Sequence, residues 1–322
     1  MEYRNLGRSG LRVSEIALGS WLTFGGSVGE ESARACIRRA YELGINFFDT
    51  ANQYGGGRAE QVLGRALAEL PRPDLVIATK VYFPMGAGPN DRGLSRKHVM
   101  EQCHASLRRL GTDYVDLYQC HRFDPETPLE ETLRALDDLV TQGKVLYVGV
   151  SEWSAAQIAE ALGVQERSGL DRIVSNQPQY SMLWRRPEAE VIPLSEREGV
   201  GQIVYSPLAQ GVLTGKYRPG APPPEGSRAT DESSNQFIGK FLKEPVLRAV
   251  ERLRPIADDA GLTLAQLALA WVLRTPAVAS AIVGATSTQQ VEANASAAGI
   301  RLDDETLARI EGALEGLAVQ ER

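Results

Sequence analysis

The sequence predicts an α/β protein whose eight strand-helix units close into a (β/α)8 TIM barrel, preceded by a hairpin. Three observations carry the prediction. Short apolar runs of strand length alternate with segments of helical period from residue 16 to about residue 297. The alternation repeats eight times, which suits closure better than an open sheet. The first strand is followed by Gly19-Ser20-Trp21-Leu22, whereas an open dinucleotide-binding sheet would place a glycine-rich fingerprint there.

In chain order, residues 3–14 alternate apolar and polar around Gly7 and Gly10, which reads as the hairpin. Ile16 to Leu18 is the first barrel strand, followed by a helix over about 31–43. Further strands are expected near 45–48, 75–79, 114–118, 145–149, 172–176, 201–205 and 279–283. Helices are expected near 58–68, 96–109, 130–141, 155–166, 188–198, 263–273 and 288–297. Residues 81–95, 206–245 and the tail after 300 interrupt the rhythm. The middle segment is too long for a plain connector and reads as a functional lid or a disordered insertion. Cofactor cover is preferred, since Lys216 and Arg228 flank its prolines 219 and 222–224. The whole of 1–322 is expected to form one barrel domain.

The 43% hydrophobic and 24% charged content is that of an ordinary globular chain. A net charge of -6 argues against a dedicated nucleic-acid partner, which would meet a basic face. Cys36, Cys103 and Cys120 show no CxxC spacing, which offers no metal site and fits a reducing compartment. No apolar signal-peptide core opens the chain, and no run reaches the roughly 18 apolar residues of a membrane span. A cytoplasmic protein without membrane insertion is expected.

Three strand ends carry residues with complementary proton chemistry. Asp49 ends the second strand and Tyr54 follows in a glycine-rich loop; Lys80 ends the third strand and His121 the fourth. In a barrel of parallel strands these ends share one rim, where active sites lie. A phenol with a pKa near 10 is a weak acid at neutral pH. An adjacent ammonium is expected to lower that pKa, with an aspartate holding the ammonium in place. A histidine beside the phenol can orient a carbonyl oxygen. No protein group donates a hydride, so this set calls for a nicotinamide cofactor. Taken singly, each of these residues is more often a loop or packing residue; the conjunction carries the reading.

With these residues in view, the chain resembles the aldo-keto reductase superfamily essentially end to end. Asp49, Tyr54, Lys80 and His121 match that family's catalytic tetrad in order and context. Within it, the sequence is similar to the branch of voltage-gated potassium channel β-subunits and their bacterial relatives. The carriers are residues 3–14, Trp21 through Gly26, 92–98, 124–132, 206–209 and 215–217.

The resemblance implies an NADP-dependent enzyme acting on a small-molecule carbonyl substrate. Ser20, Trp21 and Asp49 would lie along the nicotinamide, and Ser151 and Gln177 would hold its carboxamide. Tyr205 would stack on the ring, where the channel branch has tryptophan. Ser206, Pro207, Leu208, Ala209, Gln210 and Gly211 would wrap the pyrophosphate, helped by Lys216 and Arg228. Gly284, Thr286, Gln290 and Asn294 would meet the adenosine end at a helix N-terminus. Trp21, Tyr54, Phe83, His121 and Trp184, with Phe123 nearby, would line the substrate mouth. Cys120 alternates away from that pocket.

His121 stands where channel subunits tend to have asparagine, so the tetrad is whole. Ala293 replaces the family's usual adenosine-contacting glutamate, and Gly284 and Gln290 replace the lysine and arginine that grip a 2′-phosphate. The channel branch lacks that pair yet uses NADP, which keeps NADP the expected cofactor, with NAD use open. The runner-up function is a cofactor-holding, channel β-subunit-like regulatory protein with slow turnover. The absence of a long N-terminal arm before the hairpin counts against it. A barrel enzyme of sugar or phosphate chemistry without nicotinamide is a third reading. A homo-oligomer, as in tetrameric branch members, is expected.

Overall fold

The computed structural model describes residues 1–24, 29–232 and 234–317. Gly25 and Gly26, which end one of the resemblance runs, lie outside them.

Strands β1 (Tyr3–Asn5) and β2 (Arg12–Ser14) pair antiparallel as the expected hairpin. It carries Leu6 and Val13 into the cluster that fills the barrel interior, with Ala17, Phe47, Ala78, Leu117 and Ile203. The hairpin thereby plugs the end of the barrel where the strands begin.

Eight parallel strands follow: β3 (Ile16–Gly19), β4 (Phe47–Asp49), β5 (Val76–Val81), β6 (Val115–Cys120), β7 (Val145–Ser151), β8 (Ile173–Gln177), β9 (Gly201–Tyr205) and β10 (Val278–Val283). They close in sequence order, with β10 returning to pair with β3. The TIM barrel with its N-terminal hairpin is therefore the fold. Strand alternation sorts the side chains into two layers. Phe47 points into the interior, whereas Phe48 joins the layer between strands and helices.

Eight helices match the predicted positions: α1 (Glu30–Glu42), α2 (Arg58–Leu67), α3 (Arg96–Leu110), α4 (Leu129–Thr141), α5 (Ala155–Ser168), α6 (Val191–Glu198) and, after a gap, α8 (Leu264–Leu273) and α9 (Thr288–Ala295). Their starts are written locally. Ser95 caps α3 by accepting from His98 N, and Ser154 with Gln157, like Thr263 with Gln266, forms a reciprocal capping box. Gly64 lets α2 and α3 touch, since a Cβ there would meet Leu110 O at 2.3 Å.

Two helices were not expected. α7 (Glu244–Asp259) fills residues that carried no assigned element, and α10 (Asp304–Leu314) lies in the tail after 300. Pro255 inside α7 obscures a stripe that is nonetheless periodic: Val246, Leu247, Val250, Leu253, Ile256 and Ala257 are all buried.

Residues 206–243 are anchored rather than loose. Val212, Leu213, Tyr217, Ile238 and Phe241 sink into the core layer, and short 3₁₀ turns connect them. Among the described residues, no single helix is long and apolar enough to cross a membrane.

Candidate active site

Because interior-facing positions alternate, Ala78 and Lys80 share one side of β5, and Thr79 turns outward to donate to Glu60 at 2.5 Å. Lys80 is thus aimed along the barrel axis at its upper rim, fully buried. Its ammonium donates to Asp49 Oδ1 at 2.6 Å, to Thr50 O at 2.9 Å and to Tyr54 OH at 3.3 Å. All three ammonium hydrogens are engaged, so the group is held both in place and in charge. Burial alone would weaken that charge, but the Asp49 carboxylate and the Tyr54 oxygen outweigh it and raise the Lys80 pKa.

Tyr54 is followed by three successive left-handed residues, Gly55, Gly56 and Gly57, at φ 58°, 65° and 93°. Only glycine adopts such a run readily, and it lets the chain turn from the β4 exit directly into α2. The sequence-based expectation was a lowered tyrosine pKa. The structure reverses its sign: burial raises it more than Lys80 lowers it. The phenol is therefore neutral at neutral pH and can donate a proton.

His121 lies edge-on to Tyr54, ring centroids 5.6 Å apart, and edge-on to Phe83 at 4.9 Å. Burial, then Lys80 and Arg122, push its pKa well below the usual histidine range, so it is a neutral imidazole. Its Nδ1 is buried without a hydrogen-bond partner among the described residues. Trp21 completes the aromatic wall, 6.4 Å from Tyr54 and 5.4 Å from Phe237.

The other expected positions divide. Ser151 and Gln177 meet, the hydroxyl donating to Gln177 O at 2.8 Å, but the Gln177 amide turns inward to Asp49 Oδ2 at 2.9 Å. Ser20 is adjacent through its backbone, donating to Asp49 O, while its hydroxyl is buried and has no partner among the described residues. Tyr205 ends β9, half-buried, its hydroxyl pushed up by burial and by Glu152. Ser206, Ala209, Gln210 and Gly211 all have positive φ, and Pro207 and Leu208 lie between them. The turn is locked by Gln210, which donates to Ser206 Oγ at 2.6 Å and accepts from Arg228. Lys216 packs against Gly211 where a side chain would otherwise sit. Gln290 folds back so that its oxygen accepts from Thr286 N at 2.9 Å, Asn294 is buried on α9, and Gly284 faces Thr23.

Two expected substrate-wall aromatics are engaged elsewhere. Phe123 packs edge-on to Trp153 at 4.9 Å, and Trp184 lies under the Lys240 ammonium at 3.7 Å. Cys120 is buried with its thiol pushed up to about 12 by burial. A cavity of about 740 Å³ between the ends of α2 and α3, lined by Leu67, Leu110 and Lys144, opens at the opposite rim.

Sequence reasoning missed four residues of this rim. Gln119 donates to Asp49 Oδ2 at 3.4 Å, and its place two residues before His121 could have shown it. Arg122 donates to His121 O at 2.6 Å, Glu152 accepts from Gln179 N at 2.6 Å, and Phe237 meets Trp21. Phe237 comes from the long segment 206–243, so no local signal points to it.

The Aldo/keto reductase family model matches residues 15–315. A probable voltage-gated potassium channel subunit beta of Arabidopsis thaliana is 46% identical over 303 residues, 93% of this chain and 92% of the relative. One from Oryza sativa subsp. japonica is 44% identical over 98% of this chain and 97% of its own. A putative one from Schizosaccharomyces pombe is 44% identical over 92% of this chain and 87% of its own.

Proposed function

Since the chain belongs to the aldo/keto reductase family, we propose that it is an NADP(H)-dependent oxidoreductase that reduces aldehydes and ketones to alcohols. The observation that carries this is the hydrogen-bonded series Asp49–Lys80–Tyr54 with a neutral imidazole beside the phenol. Unpartnered buried atoms at Ser20 Oγ, Thr50 Oγ1, Gln119 Oε1 and His121 Nδ1 fit a polar ligand at this rim. The positive-φ turn at Ser206–Gly211 presents backbone to a phosphate, with Lys216 and Arg228 as cations.

A bound nicotinamide would supply the hydride. The chain's own residues supply the proton. Tyr54 donates its phenolic hydrogen to the carbonyl oxygen, and Lys80 stabilises the phenolate left behind. Asp49 keeps Lys80 charged, and the neutral His121 orients the carbonyl oxygen. Trp21, Phe83 and Phe237 restrict water at the mouth.

The test is NADPH oxidation with 4-nitrobenzaldehyde, together with nucleotide binding by fluorescence quenching. Tyr54→Phe is expected to lose on the order of 10²–10⁴-fold in kcat while binding NADPH as before. Equal turnover in both proteins would defeat the reading.

The names of the plant and yeast relatives favour a second reading, a cofactor-holding regulatory subunit of a membrane channel. Co-purification of a channel from the native host, with no measurable aldehyde turnover, would establish it instead.

A further inference from the structure

A half-buried arginine in this protein ordinarily has a carboxylate. Arg4, Arg39, Arg72, Arg109, Arg185, Arg254 and Arg274 each pair with one. The pattern follows from charge burial, since a guanidinium taken partly out of water needs a compensating anion. Arg228 and Arg122 are half-buried too: Arg228 donates to the Gln210 amide oxygen at the phosphate-facing turn, and among the described residues no carboxylate lies within ion-pair distance of Arg122. One Arg122 N–H donates to His121 O at 2.6 Å, and its guanidinium lies 5.6 Å from the centre of the Phe83 ring. Among the described residues, the remaining donors of the fork have no hydrogen-bond partner.

Its position is also particular. Arg122 follows His121 at the exit of β6, and Phe83 forms the wall against which both lie. Its positive charge is felt at His121, Tyr54 and Tyr205, which belong to three different strand exits. The other buried cation of the rim, Lys80, is already matched by Asp49. Glu152, near Tyr205, uses a carboxylate oxygen on Gln179 N. Glu152 is exposed and keeps its charge, so what sets Arg122 apart is that it is the half-buried cation of the mouth with no carboxylate within ion-pair distance among the described residues.

We propose that Arg122 is a specificity-determining residue that favours aldehydes and ketones carrying a carboxylate, which it binds while the carbonyl oxygen meets Tyr54 and His121. A planar guanidinium with free donors matches a carboxylate in both charge and geometry. The inference rests on the carbonyl-reductase reading and names the substrate class for that site.

The experiment compares 3-carboxybenzaldehyde with its methyl ester as substrates, in wild type, Arg122→Met and Arg122→Lys. Wild type should prefer the acid by about tenfold or more in kcat/KM. Arg122→Met should lose roughly 10–100-fold on the acid, mainly through KM, and far less on the ester. Arg122→Lys should recover part of the loss, and added salt should weaken the acid alone. Calorimetry on the NADP-loaded protein gives a readout independent of turnover. The product acid, 3-(hydroxymethyl)benzoate, should bind wild type at least about tenfold tighter than Arg122→Met.

An equal fall on acid and ester, or unchanged binding of the product acid in Arg122→Met, overturns the role of Arg122. Failure of wild type to oxidise NADPH with the ester would instead defeat the reductase reading. Turnover of the ester without preference for the acid would defeat only the present inference.

Discussion

The two rims of the barrel each hold a buried carboxylate paired with a cation, and they differ in what is left over. At the rim where the strands begin, Glu15 accepts from Arg4 at 2.7 Å, from Arg301 at 3.1 Å and from Gly299 N at 2.8 Å. Arg4 in turn donates to Leu273 O and Val278 O at 2.7 and 2.8 Å. Burial would raise the Glu15 pKa, but Gly299, Arg4 and Arg301 together hold it below the usual range. That cluster locks the hairpin to β10 and has its contacts filled. At the opposite rim, Asp49 and Lys80 are buried too, yet they sit among oxygens and an imidazole nitrogen that have no partner among the described residues. A saturated polar cluster stabilises, whereas one with spare donors and acceptors is built to receive something.

Breaking each pair should separate the two roles. Lys80→Met leaves Asp49 buried without its cation, and a loss of about 3–5 kcal/mol in urea unfolding is expected, with aldehyde reduction abolished. Arg4→Met should also destabilise, by on the order of 2–3 kcal/mol, because Arg301 and Gly299 still serve Glu15. Its folded fraction should retain the wild-type kcat. A fall in kcat per folded molecule would show that the two rims are coupled.

The pH dependence sharpens the contrast. His121 has a native pKa well below 6.5, and its unfolded value is near 6.5. The unfolded chain therefore binds a proton that the native site refuses, and stability falls as pH drops through and below about 6.5. His98 is shifted the same way by burial. Urea midpoints for wild type and His121→Asn should diverge on acidification, the variant losing about 1.4 kcal/mol less by about pH 5.5. Parallel acid limbs would show that His121 charges freely. The smallest effect belongs to Arg301→Gln, since Arg301 is largely exposed and Glu15 keeps two other partners. Less than about 1 kcal/mol is expected.

Much of this was legible along the chain. The barrel strands and eight of the helices near them follow from periodicity, because each apolar run must face a core on its own element. α7 and α10 were not legible: Pro255 interrupts one apolar stripe, and the other sits in a tail beyond the eight repeats. At the site, Asp49, Lys80 and His121 could be placed because strand ends share a rim. Gln177 could be placed there but not aimed. Its amide turns to Asp49 from the far side of the barrel, 128 residues away.

By itself, then, the sequence determined which residues stand at the carboxyl ends of parallel strands, since that depends on local alternation and on the order of elements. Only the tertiary structure decided the balance of forces on them. Whether Lys80 or burial governs the Tyr54 phenol, and whether Arg122 meets a carboxylate, depends on desolvation and on neighbours brought from distant strands. Those quantities exist only once the barrel has closed.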